Sequence, residues 1–168
     1  TGLRIYDPLP AWTPSNNHLG QLHQAPTHHL ADPALAARLV RRGAAALARG
    51  PSPQHVVPYD GSFLGLLFES LTVLTVRPMA QALGGKCYHF RDSNGRREVD
   101  LIVVTDSGIT AIEVKLAAAV ADAHVTHLNW LRDRLGSALT NRVVITTGPE
   151  AYRRADGVLV VPLGLLTP

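Results

Sequence analysis

The stretch Arg96-Arg-Glu-Val-Asp100-Leu-Ile-Val-Val-Thr105-Asp-Ser-Gly-Ile-Thr110-Ala-Ile-Glu-Val-Lys115 decides how this chain reads. Two β-branched runs, Val99 to Val104 and Ile109 to Val114, flank a short polar turn that ends on Gly108. Such a pair reads as a β-hairpin. Side chains alternate along a strand, so Glu113 and Lys115 leave on one face. A loop of two residues (Asp106, Ser107) or of four (Thr105 to Gly108) sets up one register, in which Asp100 lies opposite Glu113. A three-residue loop puts the two acids on opposite faces. Cross-strand neighbours are roughly 4.5–5.5 Å apart at Cβ, and like charges there repel. Two carboxylates in an otherwise apolar hairpin call for a cation, either Lys115 or a metal.

Working outward, Glu69 is the one acid in the long apolar stretch from Gly61 to Leu83. Phe63, Leu66, Leu67, Leu71 and Leu74 recur there at helical spacing, which predicts a helix with that stripe inward. Pro78 is expected to kink or split it. Gly84-Gly85 ends it, and a strand follows from Lys86 to Phe90. Arg91 to Arg97 forms a polar turn before the hairpin. A helix is predicted from Ala118 to Leu135, with Val125, Leu128 and Leu131 inward and Gly136 closing it. Strands are predicted over 142–147 and 158–162. Upstream, Thr1 to Thr27 carries four prolines and reads as an irregular arm anchored by Trp12. Asp32-Pro33 starts a helix that runs to Arg42 and stops at Gly43. A short helical piece over 44–48 and a proline-rich loop over 50–60 complete the N-terminal part.

The chain is one structural domain of 168 residues. Residues 1–60 form an arm and short helices packing on a core of residues 61–168. Hydrophobic residues at 46% against 17% charged make it globular rather than disordered. A net charge of +3 permits a polyanionic partner without requiring one. The single cysteine, Cys87, rules out an internal disulfide and fits a reducing, cytoplasmic setting. No unbroken apolar run reaches the roughly 18–20 residues of a membrane span, so no membrane role is expected. The start at Thr1-Gly-Leu-Arg reads as a piece of a longer protein.

Glu69, Asp100, Glu113 and Lys115 are therefore the candidate centre. Hard carboxylate oxygens suit Mg²⁺ or Mn²⁺, with Glu69, Asp100 and Glu113 as ligands. Such a cation activates phosphate chemistry, and Lys115 stabilises developing charge. A purely structural Glu113–Lys115 salt bridge is the plainer alternative. Arg91, Arg96 and Arg97 flank the turn before Asp100, where they either contact phosphates at the mouth of the site or are simply solvated. His124 and His127 lack the further ligands of a zinc site, and His28-His29 reads as a packing and capping pair. Gly84-Gly85-Lys86-Cys87 is no phosphate loop, because Ala80 stands at the first glycine position.

The helix bearing Glu69, then Glu98-Val-Asp100, then Glu113-Val-Lys115, then a helix and a strand, resembles the PD-(D/E)XK nuclease superfamily. More narrowly, His29-Leu-Ala-Asp-Pro-Ala-Leu-Ala36, Gly65-Leu-Leu-Phe-Glu-Ser70, Tyr88-His-Phe-Arg91, Arg97-Glu-Val-Asp-Leu101 and Ile112-Glu-Val-Lys115 resemble domain of unknown function 4143. That domain follows an AAA-type ATPase module in bacteria and archaea. The resemblance implies an α/β fold with a restriction-endonuclease-like αβββαβ core, a mixed sheet flanked by helices, and an irregular plus helical N-terminal extension. It implies Asp100, Glu113 and Lys115 as catalytic residues and a Mg²⁺- or Mn²⁺-dependent nuclease. It also implies an N-terminal ATPase partner in the same polypeptide. Two departures stand out: Glu98-Val precedes Asp100 where the superfamily carries Pro, and His127 and Asn129 occupy the following helix where Gln is common. A nonenzymatic DNA-binding or regulatory role for the same residues is the alternative.

Overall fold

In the computed structural model, which describes residues 6–14, 25–41, 43, 47, 62–92 and 94–166, the fold is mixed α/β. The expected helical piece over 44–48 and loop over 50–60 lie essentially outside the described residues. Strands β3 (Lys86–Arg91), β4 (Glu98–Thr105), β5 (Gly108–Val114), β6 (Leu139–Thr146), β7 (Tyr152–Arg153) and β8 (Leu159–Pro162) make one six-stranded sheet. Its spatial order is β3-β4-β5-β6-β8-β7. The pairs β3–β4, β4–β5 and β7–β8 are antiparallel, whereas β5–β6 and β6–β8 are parallel. The sheet is therefore mixed, with its parallel seam beginning at β5.

The β4–β5 turn holds two residues, Asp106 and Ser107, because Thr105 pairs with Gly108 and Leu101 with Ile112. Gly108 has φ 130°, and a Cβ there would strike the Thr140 side chain of β6. Only glycine satisfies both conditions. The two-residue turn thus fixes the register on which the candidate site depends.

Two helices cover the sheet. Helix α1 (Pro33–Leu39) is short, and α2 (Ser62–Ala82) lies against one sheet face through Val73, Val76 and Ala80, which meet Leu101, Val103, Ile112 and Ile145. Helix α3 (Thr126–Leu135) covers the other face: Val125, Leu128 and Leu131 pack with Ile102, Ala111 and Val144. Adjacent residues such as Leu101 and Ile102, or Ala111 and Ile112, go to opposite cores, as the strand pleat demands.

Several expectations change. Helix α2 runs through Pro78 in one piece. Its predicted inward stripe is rotated, since Leu66 and Leu71 are exposed. The helix is apolar around most of its circumference, so spacing alone did not mark the sheet-facing side. Phe63–Ala82 is also long and apolar enough to pass for a membrane span by length and composition, with a third of it buried. Glu69 and Arg77 interrupt the apolar run, so its length is not apparent from unbroken apolar sequence. The packing of Val73, Val76 and Ala80 onto the sheet gives it the role of a core helix.

The arm is less irregular than its prolines suggest. Strands β1 (Tyr6–Leu9) and β2 (Thr27–Leu30) pair antiparallel, with Asp7 against His29. Trp12 is buried as expected and meets Phe90 edge-on at 6.1 Å between ring centroids. The Trp12 amide donates to the His89 carbonyl at 2.7 Å, tying the arm to β3. Arg77 of α2 holds Asp7 in an ion pair. The Asp32 carboxylate accepts from the Ala34 and Leu35 amides, capping α1. That helix ends at Leu39 rather than Arg42, with Arg41 in the left-handed region at φ 56°.

Residues 115–121 are not helical, contrary to the alanine-rich appearance of 117–119. The Lys115 amide donates to the Ile145 carbonyl and the Thr147 amide to the Ala117 carbonyl, which prolongs the β5–β6 seam instead. A 3₁₀ turn over Asp122–Val125 then leads into α3. Strand β7 was not foreseen; two residues give no alternation to read.

Candidate functional site

The β3–β4 pairing shifts register between Tyr88–Ile102 and Phe90–Val99. His89 on β3 therefore faces two residues, Asp100 and Leu101, on β4. This is a β-bulge, a feature that re-aims side chains and concentrates beside active sites. The β4–β5 ladder ends one step short of an Asp100–Glu113 pair, at Leu101–Ile112. Instead the Asp100 carboxylate accepts the Val114 amide, Oδ2 to N, at 2.7 Å. A side-chain oxygen stands where a main-chain carbonyl would otherwise cap the end of β5.

Glu113 and Lys115 emerge together, as their spacing required. Lys115 Nζ lies 2.6 Å from Glu113 Oε1, with the Glu113 side chain 9% exposed and that of Lys115 32%. The other oxygen, Glu113 Oε2, is buried and has no hydrogen-bond partner among the described residues. Glu69 on α2 is half-buried and faces the same group of charges. Burial pushes its carboxyl up to about 7, and the neighbouring Asp100 charge adds to the rise. Burial and Asp100 likewise lift Glu113 to about 7, against the pull of Lys115. Asp100 is also raised, chiefly by burial, although the Val114 amide and Lys115 oppose the shift. Burial disfavours the Lys115 ammonium, yet Glu113, Asp100 and Glu69 hold its pKa above the ordinary value. One ammonium therefore serves three mutually repelling carboxyl groups.

Among the described residues, no three His, Cys, Asp or Glu side chains are gathered closely enough to hold a metal ion as they stand. The donor chemistry nonetheless fits a hard divalent cation. The oxygens of Glu69, Asp100 and Glu113 are of the required kind, and Glu113 Oε2 is an open, desolvated acceptor. Ligation by all three requires side-chain movement.

Residues 64–166, which carry all four charged groups, match the family described as "Domain of unknown function (DUF4143)". The chain belongs to that family. No curated protein and no solved structure matches it.

Of the three arginines that flank the β3–β4 turn of this DUF4143 domain, Arg91, Arg96 and Arg97, two are engaged. Arg91 pairs with Glu98. The Arg97 guanidinium lies 4.4 Å from the centre of the Trp130 ring and is 4.0 Å from Asp92. The backbone amides of Arg96 and Arg97 both donate to Asp92 Oδ1, which holds the turn. Arg96 is exposed, so it is the cation of the turn most available to a ligand.

Glu98 is the residue that sequence reasoning passed over. It adds negative charge near both Asp100 and Glu69, and its position two before Asp100 was the available signal. His127 bonds the backbone of Glu98 through Nδ1, 2.9 Å from the carbonyl oxygen, and so orients β4 from α3. Asn129 instead joins Asp156 and Arg142 on the far edge. His124 caps its own 3₁₀ turn, accepting from the Ala121 amide at 3.2 Å. His124 and His127 thus have separate roles and form no ligand pair.

Proposed function

We propose that this domain is a metal-dependent phosphodiesterase of the restriction-endonuclease-like, PD-(D/E)XK type that acts on nucleic acid. We also propose that it works beside an AAA-type ATPase module of the same polypeptide. The chain order α2, β3, β4, β5, α3, β6 supports the αβββαβ reading, as do an aspartate at a bulge and a Glu-x-Lys on the next strand. The observation that carries the functional reading is the buried, unpartnered Glu113 Oε2 beside Asp100, Glu69 and Lys115. An oxygen desolvated without a partner is costly in a merely structural salt bridge, and a cation removes that cost.

Asp100 and Glu113 would hold Mg²⁺ or Mn²⁺, with Glu69 as a further ligand, directly or through water. When bound, the cation supplies Lewis-acid polarisation of the phosphate. Lys115, positioned by Glu113 Oε1, stabilises negative charge that develops on the phosphoryl oxygens. Its raised pKa keeps it protonated for that task. Arg96, at the turn beside this centre, steers the polyanion toward it.

A second reading, a non-catalytic DNA-binding or regulatory module of the parent ATPase, draws on a different observation. Lys115 already pairs with Glu113, and the three acids are not gathered as a ligand set. Cleavage of supercoiled plasmid and single-stranded DNA in Mg²⁺ or Mn²⁺ separates the two. Cutting that disappears in Glu113→Ala supports the phosphodiesterase; DNA binding without cutting, unchanged by metal, supports the module.

A further inference from the structure

Trp130 on α3 is a large ring left partly exposed beside the β3–β4 turn. From within, Phe90 of β3 stacks on it, with ring centroids 5.8 Å apart and planes 24° from parallel. Phe90 is itself buried and braced edge-on by Trp12. Packed rings therefore hold the indole in one orientation, and little further ordering is needed when a ligand arrives.

Cations border the same ring. The Arg97 guanidinium lies 4.4 Å from its centre, and that of Arg134, one turn further along α3, lies 6.0 Å away. Arg97 is loosely tied: its side chain is 45% exposed, and its ion-pair partner Asp92 stands 4.0 Å off. Arg96 and Arg134 are exposed. The acids of the turn are occupied, since Glu98 pairs with Arg91 and Asp92 Oδ1 accepts the Arg96 and Arg97 amides.

A rigid flat ring bordered by guanidinium groups matches a flat base bordered by phosphates. In a duplex the base faces are already stacked on one another, so the matching partner is a single strand. An exposed cation–π contact is worth about two- to fivefold in affinity, and a base stacked on an aromatic ring about five- to a hundredfold. Exchanging Arg97 for a base on the ring is therefore favourable, the more so when the freed guanidinium meets a phosphate. Arg97 stands three residues before Asp100, roughly 10 Å of extended chain, so a strand that crosses Trp130 also reaches the candidate centre.

We propose that Trp130 is a stacking platform for a base of single-stranded nucleic acid, with Arg97 moving off the ring onto the adjoining phosphate and Arg134 flanking the strand. The proposal rests on the nucleic-acid reading above and deepens it by naming the single strand as the form bound.

Binding of a short oligothymidylate and of a duplex of the same length to the full chain, in metal-free buffer where nothing is cut, tests it. Trp12 is buried, so Trp130 is the tryptophan a base can reach. Oligothymidylate therefore quenches the intrinsic fluorescence of the wild-type chain as it binds. Trp130→Leu, which keeps an apolar side chain on Phe90, weakens oligothymidylate binding roughly tenfold and leaves duplex binding within about twofold. Trp130→Phe, which keeps a ring, restores most of the lost affinity. Oligothymidylate that binds the wild-type chain without quenching, or a Trp130→Leu chain that binds it as tightly as wild type or loses duplex binding equally, overturns the platform. If DNA is still cut in Mn²⁺ in those cases, the phosphodiesterase reading stands without it. If neither form of DNA is bound or cut, the nucleic-acid reading fails and the platform goes with it.

Discussion

Lys115 reaches Glu113 from one side only: its Nζ sits 2.6 Å from Oε1, while Oε2 of the same carboxylate is buried and unpartnered among the described residues. A salt bridge built for stability alone would pair both oxygens or leave one in water. The half-satisfied carboxylate, with Asp100 and Glu69 adding like charge, is the arrangement on which the proposed cation site rests.

The first consequence is a pH dependence. Glu69 and Glu113 move from a normal 4.5 to about 7 in the fold. Between those values the folded chain holds more protons than the unfolded one, so stability falls as pH rises. The contribution is fully present below about 4.5 and gone above about 7. For the well-buried Glu113 the difference is on the order of 3 kcal/mol. Thermal melts in metal-free buffer should therefore show a lower melting temperature at pH 8 than at pH 5.5. Glu113→Gln should flatten that slope, and millimolar Mn²⁺ should raise the melting temperature at pH 8 more than at pH 5.5.

Asp100 should separate charge from hydrogen bonding. Asp100→Asn keeps an acceptor for the Val114 amide and removes a repelled charge. It should be neutral or stabilising at pH 8 by up to about 1 kcal/mol. Asp100→Ala strands a buried amide and should be less stable than Asp100→Asn by about 1–3 kcal/mol. Urea denaturation of both variants, without metal, measures the difference.

The turn arginines should behave unequally. Arg97 covers Trp130 and lies near Asp92, so Arg97→Ala should cost about 1 kcal/mol of stability. Arg96→Ala should leave stability within about 0.5 kcal/mol. It should weaken DNA binding and reduce the magnitude of the salt slope by about 1. Binding titrations at several salt concentrations, paired with melts, check both.

The hairpin was legible from its alternation and Gly108, but its register was not: of the two that the loop length left open, the two-residue turn selects the one that brings Asp100 and Glu113 to one end of the sheet. The bulge at Asp100 was not legible, because it depends on where β3 pairs rather than on any residue of β4. Glu69 could be named but not oriented, since α2 is apolar on nearly every side. The β1–β2 pair escaped notice because Pro8 and Pro10 signal irregular backbone, although an isolated two-stranded ribbon accommodates proline at its edge. The loop after Lys115 looked helical by composition, and long-range bonds to Ile145 and Thr147 overrode that local preference.

Mn²⁺ titration followed by electron paramagnetic resonance reads out the proposed divalent-cation site at Glu113 and Asp100. One Mn²⁺ per chain should bind at pH 8, with affinity at least about tenfold weaker in Glu113→Gln and in Asp100→Asn while both variants stay folded. A wild-type chain that binds no Mn²⁺, or one that binds it no better than these variants, would contradict it.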